Sequence, residues 1–536
     1  MAEMTGGQAL VQAIKREGIE TIFALPGAQL DWAIDALYDE RDTITVYHTR
    51  HEQATGYMAD GYARTTGKIG TCMVVPGPGL LNVSAALSTA YACSSPVLCI
   101  TGQILSEMIG ARRGMLHEIP NQLEMIGSVT KWAGRAMTVP EIPGLVREAF
   151  RQLRTGRPRP VEIEIPPDVL SATGNAELLD PVPVERPAGD PDLLTQAANA
   201  LRTAERPLIY AGGGVMLSGA WEDLRTLAAM LEAPVVMSTA GRGALSDRHY
   251  LAQTTVAGKR LLPDADVILA VGTRFVHPDR WGLPPGATII RLEIDPDETS
   301  VGPAPTIGIV GDAKAGLARL VALLDGIGPR PSREKELRAV KREADDVLHE
   351  IQPQAAFADA IRAALPEDGI LVHGVTQIGY YSIVGFPVYE PRTLIGSGYQ
   401  GTLGYAFATS LGAQAGNPGK KVISINGDGG FMYNVQELAT MKRYGLRAVA
   451  IVFNDSAFGN VRRGQRTRFG GRIYASELTN PDFVKLADSF GIAGMRAEGP
   501  DALQGALREA LATDEPTLIE VPVGEMPSVW HLNNWP

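Results

Sequence analysis

The sequence predicts an α/β protein of three doubly wound, parallel-sheet domains, and three observations lead there. First, 536 residues exceed what one hydrophobic core organises and fit about three domains of ordinary size. Second, short apolar runs that end in glycine turns recur along the chain, each followed by helical spacing. Strand, glycine turn and helix in that order form the ligand-facing edge of an open α/β sheet. Third, one stretch shows the whole unit. Residues 421–426 read as a buried parallel strand stopped by Gly427-Asp428-Gly429-Gly430-Phe431. Residues 434–441 then have helical spacing that ends near Gly445, and a second apolar run, 448–453, delivers Asn454 and Asp455.

Composition narrows the function classes. A chain that is 45% hydrophobic and 20% charged is globular, and its formal net charge of −11 argues against nucleic acid and anionic membrane surfaces as partners. Cys72, Cys93 and Cys99 are odd in number, sit among apolar or small residues and lack metal-ligand spacing. They read as reduced core thiols of a cytoplasmic protein. No run approaches the roughly 18 apolar residues of a membrane span, and the first residues form no apolar leader. No internal repeat appears by period.

The first domain is placed at 1–180. Residues 5–7 open a helix carrying Ala9, Leu10, Val11 and Ile14, and strand 21–25 runs into the turn 26–31. Strand 43–48 leads to Arg50-His51-Glu52, where Glu52 falls in the first turn of a helix; a carboxylate there is favoured by the helix dipole and often only caps. Strand 72–75 precedes the glycine-rich turn 76–82, strand 97–102 precedes an irregular segment 114–120, and strand 161–165 closes the domain. The proline-rich stretch 181–191 is a linker. The middle domain, 191–328, has strands at 207–211, 234–237, 267–272 and 288–292; its glycines 212–214 lack the GxGxxG spacing of a dinucleotide loop. A charged helix over 330–349 bridges to the last domain, 350–536, which opens with strand 370–372 before Gly374-Val375-Thr376-Gln377.

Asp428 and Asp455 lie 27 positions apart (455 − 428), so adjacent parallel strands can bring their carboxylates together. Two hard oxygens beside glycine N–H groups suit a Mg²⁺ ion that also holds a diphosphate. On spacing alone, two ordinary βα loops fit equally well.

The motifs resolve that ambiguity. Gly427-Asp428-Gly429, a helix and then Asn454-Asp455 resembles the diphosphate-binding motif of thiamine diphosphate (ThDP) enzymes. Arg50-His51-Glu52-Gln53-Ala54 followed by Gly61-Tyr62-Ala63-Arg64 resembles the signature around the glutamate that bonds the cofactor pyrimidine. The chain is similar throughout to the acetolactate synthase, benzaldehyde lyase and pyruvate oxidase superfamily. That resemblance implies pyrimidine-binding, central and diphosphate-binding domains, with ThDP and Mg²⁺ as cofactors. It makes Glu52 the group that protonates the pyrimidine ring nitrogen, through a buried carboxylate with a shifted pKa. It makes Asp428, Asp455 and the carbonyl of Ala457 the metal ligands. Gly27, Pro76, Gln377, Gly401, Gly427, Gly429, Gly430 and Asn454 take cofactor-binding positions. Leu403 occupies the apolar position that props the cofactor bent, although core packing would also explain it.

Two further residues are implied in the catalytic cavity. His117 stands at a pocket glutamine position and can move protons near neutral pH; Gln29 stands at a histidine position in a loop like that of benzaldehyde lyase. Three departures matter. Asp455 replaces the usual asparagine, adding charge at a metal-ligand position. Residues 251–256 replace the flavin-contacting segment of acetolactate synthases, so FAD is not expected. Gly464 replaces a tryptophan that shapes acceptor choice. The resemblance implies a 2-oxo acid decarboxylase or carboligase of acetolactate synthase type. Alternatives are a lyase of 2-hydroxy ketones or 2-hydroxyacyl thioesters and a non-catalytic ThDP-binding regulatory paralogue. It also implies a homodimer or homotetramer with sites between subunits.

Overall fold

The computed structural model describes residues 2–276 and 278–533. Three six-stranded sheets, parallel throughout, follow one another along the chain. In spatial order the first holds Thr45–His48, Thr21–Ala24, Gly70–Val74, Val97–Gly102, Val161–Ile165 and Trp132–Arg135. The third holds Leu394–Gly396, Ile370–His373, Val422–Gly427, Val449–Asn454, Thr517–Pro522 and Ala493–Arg496. Numbered by chain order within each sheet, both read 2-1-3-4-6-5, so the first and third domains repeat one topology that no sequence period reveals. The middle sheet reads 3-2-1-4-5-6, the order of dinucleotide-binding folds.

Local chemistry sets the element ends. Thr5 caps the Gly6–Arg16 helix in a box with Gln8. Asp190 ends the linker by accepting the N–H groups of Asp192 and Leu193, with Pro191 at the first helical position. The central strands Val97–Gly102, Val161–Ile165 and Val267–Val271 are buried end to end, as parallel strands covered on both faces must be. The bridging helix forms at Glu334–His349; its Leu337 packs into the middle-domain core and its Ala344 and Leu348 into the third. Cys72, Cys93 and Cys99 are free thiols, the first and last buried.

Some expectations need correction. The helix read across 434–441 is instead a 3₁₀ turn, Val435–Glu437, followed by the shorter helix Leu438–Arg443. The break serves a tertiary contact, because Glu437 turns to meet the first domain. The strands Trp132–Arg135, Leu394–Gly396 and Ala493–Arg496 went unread, being short edge strands with weak alternation. Thr517–Pro522 also went unread, although it is central; its Glu520 interrupts the apolar run.

The first and third domains share one continuous core, in which Tyr57, Met58 and Leu87 pack with Phe407, Leu411 and Phe431. Its axis is the crossing of the helices Glu52–Thr66 and Tyr405–Gly416. A Cβ on Gly61 would collide with the Thr409 carbonyl, and one on Gly412 with the Met58 carbonyl. Arg64 ties the crossing at its end, donating to the Gly396 carbonyl at 2.7 Å and to the Tyr405 hydroxyl at 2.7 Å. Gly61→Ala or Gly412→Ala should therefore force the helices apart and cost about 1–3 kcal/mol, as overpacking does. In contrast Gly505→Ala, on an exposed helix face with nothing near the new methyl, should gain about 0.5–1 kcal/mol. Thermal melts of the three variants check this.

Candidate active site at the carboxyl ends of two sheets

The third-domain half of the site sits where strands Val422–Gly427 and Val449–Asn454 end side by side, with Gly427 paired to Phe453. Asp428 follows the first strand and is buried; its Oδ2 accepts the Asn480 amide at 2.6 Å. The same Asn480 amide donates to Asn454 Oδ1 at 2.9 Å, and Asn454 in turn donates to Glu520 at 2.8 Å. Burial pushes the Asp428 carboxyl up, against the pull of Asn480. Asp455 is pushed up to about 6, first by burial and then by the charge of Asp428, while Arg462 pulls the other way. Arg462 lies 3.3 Å from Asp455 Oδ2.

The glycines of this turn have identifiable reasons. A Cβ on Gly429 would lie 2.7 Å from the Phe458 ring and 2.9 Å from Leu478. One on Gly430 would touch the Gly404 nitrogen and the Leu403 side chain, both at 3.7 Å, so Leu403 lies beside the turn. Ala457, two residues after Asp455 in the same loop, is buried and bridged to Glu477. Gln377 begins the helix Gln377–Gly385 and accepts from Arg463 at 2.8 Å. Gly401 is exposed and left-handed, with φ of +57°.

The donor set fits a divalent cation. Two carboxylates that oppose each other's ionisation are stabilised together by a positive ion placed between them. Among the described residues no group of three or more His, Cys, Asp or Glu side chains is placed to hold a metal ion. Mg²⁺, which needs only one or two carboxylates and completes its shell with carbonyl, water and phosphate oxygens, is the suitable ion.

The first-domain half lies at the carboxyl edge of its own sheet. Glu52 is the first residue of the Glu52–Thr66 helix, behind the N-cap His51. It is half-buried rather than fully enclosed within the chain, and its Oε2 accepts the Asn82 amide at 2.9 Å. A Cβ on Gly27 would meet the Val75 side chain at 2.5 Å, so that loop packs directly on the strand before Pro76. Gln29 is buried; it donates to the Leu116 carbonyl at 3.1 Å, and its Oε1 pairs with His117 Nδ1 at 3.1 Å. His117 holds φ at +68°, a strained conformation for a non-glycine residue.

A buried network beneath this edge was not foreseen. Gln122 accepts the Gly77 N–H at 3.0 Å and donates to the Gly102 carbonyl at 3.1 Å and to Glu164 at 2.6 Å. Glu164 is held by Gln103 and Arg135. Gly77, with φ of +58°, has no room for a side chain against the His117 carbonyl, so the network and the His117 loop brace one another.

Of the residues singled out in the sequence, the structure brings Asp428, Asn454 and Asp455 together at one sheet edge, pairs Gln29 with His117 at the other, and sets Glu52 at the start of its helix. Sequence reading gave no sign of the partners around them. It missed Asn480, Asn82 and Gln122, single polar residues whose roles arise only from contacts across 52, 30 and 45 positions. A third space opens where the middle domain meets the other two, a cavity of about 630 Å³ lined by Gly213, Gly214, Thr273 and Arg274 of the middle domain, Arg157 of the first and His373 of the third among others. Its glycines lie at the reversal point of the 3-2-1-4-5-6 order, the position where such sheets bind nucleotides.

Comparison with known proteins gives the class: the chain belongs to the thiamine pyrophosphate enzyme family and is a thiamine diphosphate-dependent enzyme of the acetolactate synthase and pyruvate oxidase superfamily. Residues 4–125 match its N-terminal TPP binding domain, 194–320 its central domain and 374–521 its C-terminal TPP binding domain. The chain is 35% identical to the probable acetolactate synthase large subunit of Methanocaldococcus jannaschii, over 97% of this chain and 92% of that protein. It is also 35% identical to the probable 2-ketoarginine decarboxylase AruI of Pseudomonas aeruginosa, over 97% and 94%. Identity to the acetolactate synthase large subunit of Haemophilus influenzae is 31%, over 99% and 96%.

Asn480 aligns one carboxylate and one amide of the cluster at once. Asn480→Ala should therefore weaken Mg²⁺ binding about 10–100-fold, the usual cost of losing a residue that orients a metal ligand. Calorimetric titration with ThDP present checks this, and an unchanged affinity would remove Asn480 from the site.

Proposed function

We propose that the chain is a ThDP- and Mg²⁺-dependent 2-oxo acid decarboxylase or carboligase of acetolactate synthase type. The observation that carries this reading is the placement of Asp428 and Asp455 after adjacent strand ends, with Asn480 bonded to both Asp428 and Asn454. Asp428, Asp455 and the Ala457 carbonyl would hold the metal, while Gln377, Gly401 and the Gly427–Gly430 turn face the diphosphate. Bound ThDP supplies the carbon nucleophile and electron sink for breaking or making a bond next to a carbonyl. Glu52 holds the proton on the cofactor pyrimidine, with Asn82 fixing the carboxylate by its 2.9 Å hydrogen bond. Leu403 would pack against the cofactor and prop it. Gln29 and His117, bonded to one another, face the substrate, where the imidazole can take or give a proton. Gly27 and Pro76 close the wall around them.

A lyase of 2-hydroxy ketones or 2-hydroxyacyl thioesters is the second reading, favoured by the Gln29–His117 pair and by Gly464 on the acceptor side. The intact Glu52 and Asp428 stand against a non-catalytic paralogue. Release of CO₂ from a panel of 2-oxo acids, with pyruvate and 2-ketoarginine included, tests the proposal once ThDP and Mg²⁺ are supplied. We expect turnover of at least one, and Glu52→Gln to lower it at least about a hundredfold. Turnover of hydroxy ketones alone would favour the lyase.

The site is read as completed between two subunits. The third-domain groups hydrogen-bonded to residues 48–51 are Glu437, Thr440 and Tyr444, not the Asp428 or Asp455 loops. Leu81, beside Asn82, and Met432 and Tyr433, beside the metal turn, are exposed apolar groups that a second copy would cover. Mixing inactive Glu52→Gln and Asp428→Ala chains should restore up to about a quarter of the sites under random pairing; no recovery in proven mixed dimers would put each site within one chain.

The middle domain is read as flavin-free. The support is the stretch 251–256, of which Thr255 lines the cavity; the glycines and arginines opposite it remain suited to a diphosphate. Purified protein should show no flavin absorption, and stoichiometric flavin released on denaturation would overturn the reading and assign the cavity.

A further inference from the structure

The segment that leads into Glu52 is held from the third domain of the same chain. Glu437 is wholly buried. Its Oε1 accepts the N–H groups of Arg50 and His51, both at 3.1 Å, and its Oε2 accepts Arg50 N–H at 3.1 Å and the Thr440 hydroxyl at 2.6 Å. Further along, the Tyr444 oxygen accepts His48 N–H at 2.9 Å and pairs with His48 Nδ1 at 2.9 Å. Thr440 also reaches the His48 carbonyl at 3.4 Å. Three side chains of one short helical run therefore grip residues 48–51.

Those residues join strand Thr45–His48 to the helix that Glu52 begins. Arg50 and His51 precede the helix, where main-chain N–H groups have no helical partner. A carboxylate bonded to them is charge-assisted and roughly twice as strong as a neutral acceptor. His51, the N-cap, keeps an extended φ of −146° and accepts Gln53 N–H at 3.1 Å. With both N–H groups fixed, the direction of the first helical turn is fixed, and with it the Glu52 side chain. The run carrying the clamp is itself anchored, since Asn434 is buried and donates to the Gly404 carbonyl at 2.7 Å.

We propose that Glu437, Thr440 and Tyr444 are positioning residues that set the place of Glu52, acting through the main chain of residues 48–51. This rests on the role proposed above for Glu52. Displacing a reacting group by about 1 Å can cost about a hundredfold in rate, so the clamp has ample leverage without touching cofactor or substrate.

The test measures exchange of the ThDP C2 proton by quenched NMR, beside ThDP affinity by fluorescence titration and the melting temperature. Glu437→Gln, which turns an amide N–H₂ toward main-chain donors, should slow exchange by about tenfold or more and leave ThDP affinity within about twofold. Tyr444→Phe removes one hydroxyl from a partly exposed ring and should slow it severalfold; if Glu437→Gln does not fold, Tyr444→Phe decides alone. Adding Glu437→Gln to Glu52→Gln should slow exchange no further, because residues that act through one group are not additive. Wild-type exchange in the clamp variants overturns the proposal, as does a loss of exchange matched by equal loss of ThDP affinity, which marks a merely structural role. Wild-type exchange in Glu52→Gln itself would overturn the role of Glu52, a separate failure.

Discussion

The crossing of the Glu52–Thr66 and Tyr405–Gly416 helices is the contact on which the rest depends. It is close because Gly61 and Gly412 offer bare backbone to the carbonyls of Thr409 and Met58. Two helices brought that near merge the cores of the first and third domains into one. A merged core of packed side chains has little compressibility, so the two sheet edges are fixed relative to each other. Glu52 sits at the start of one of these helices and Leu403 just before the other, so the geometry of the crossing is also a geometry of the site. The shared strand order of the two domains makes the contact one between two copies of a single topology.

Around that axis the polar groups are costly and specific. Asp428 and Asp455 lie in partly desolvated positions that push both carboxyls up, and the charge of Asp428 pushes Asp455 up further. Nearby positive charge favours the ionised pair, and Arg462 supplies part of it. Asn480 holds a carboxylate and an amide in one orientation with a single side-chain nitrogen. In the first domain the strain of His117 is offset by bracing, through the Gly77 turn and the buried Gln122–Glu164 pair. Strained or like-charged groups persist where surrounding structure over-determines them, and both halves of this site are built that way.

Much of this was legible in the residues. The αβ units announced themselves because a buried parallel strand must be apolar throughout and must end in a turn that glycine favours. The motif around Asp428 and Asp455 was legible because their strands are adjacent in space, so spacing along the chain mapped onto distance. Glu52 was legible as a helix-start carboxylate, although its half-buried state and its Asn82 partner were not. The break between Val435–Glu437 and Leu438–Arg443 escaped because helical spacing is a local signal, whereas Glu437 answers to main-chain donors 387 and 386 positions away.

What the sequence determined by itself is therefore what depends on neighbours along the chain: strands, turns, helix starts and the residue types at their ends. Tertiary structure alone decided the matched topologies of the first and third domains, the reversal point of the middle sheet beside the interdomain cavity, and the partners Asn480, Gln122 and Glu437. Each of these depends on hydrogen bonds or packing between distant segments. A lone asparagine, glutamine or glutamate carries no periodicity and looks like a surface residue until the fold buries it beside donors and acceptors that must be satisfied.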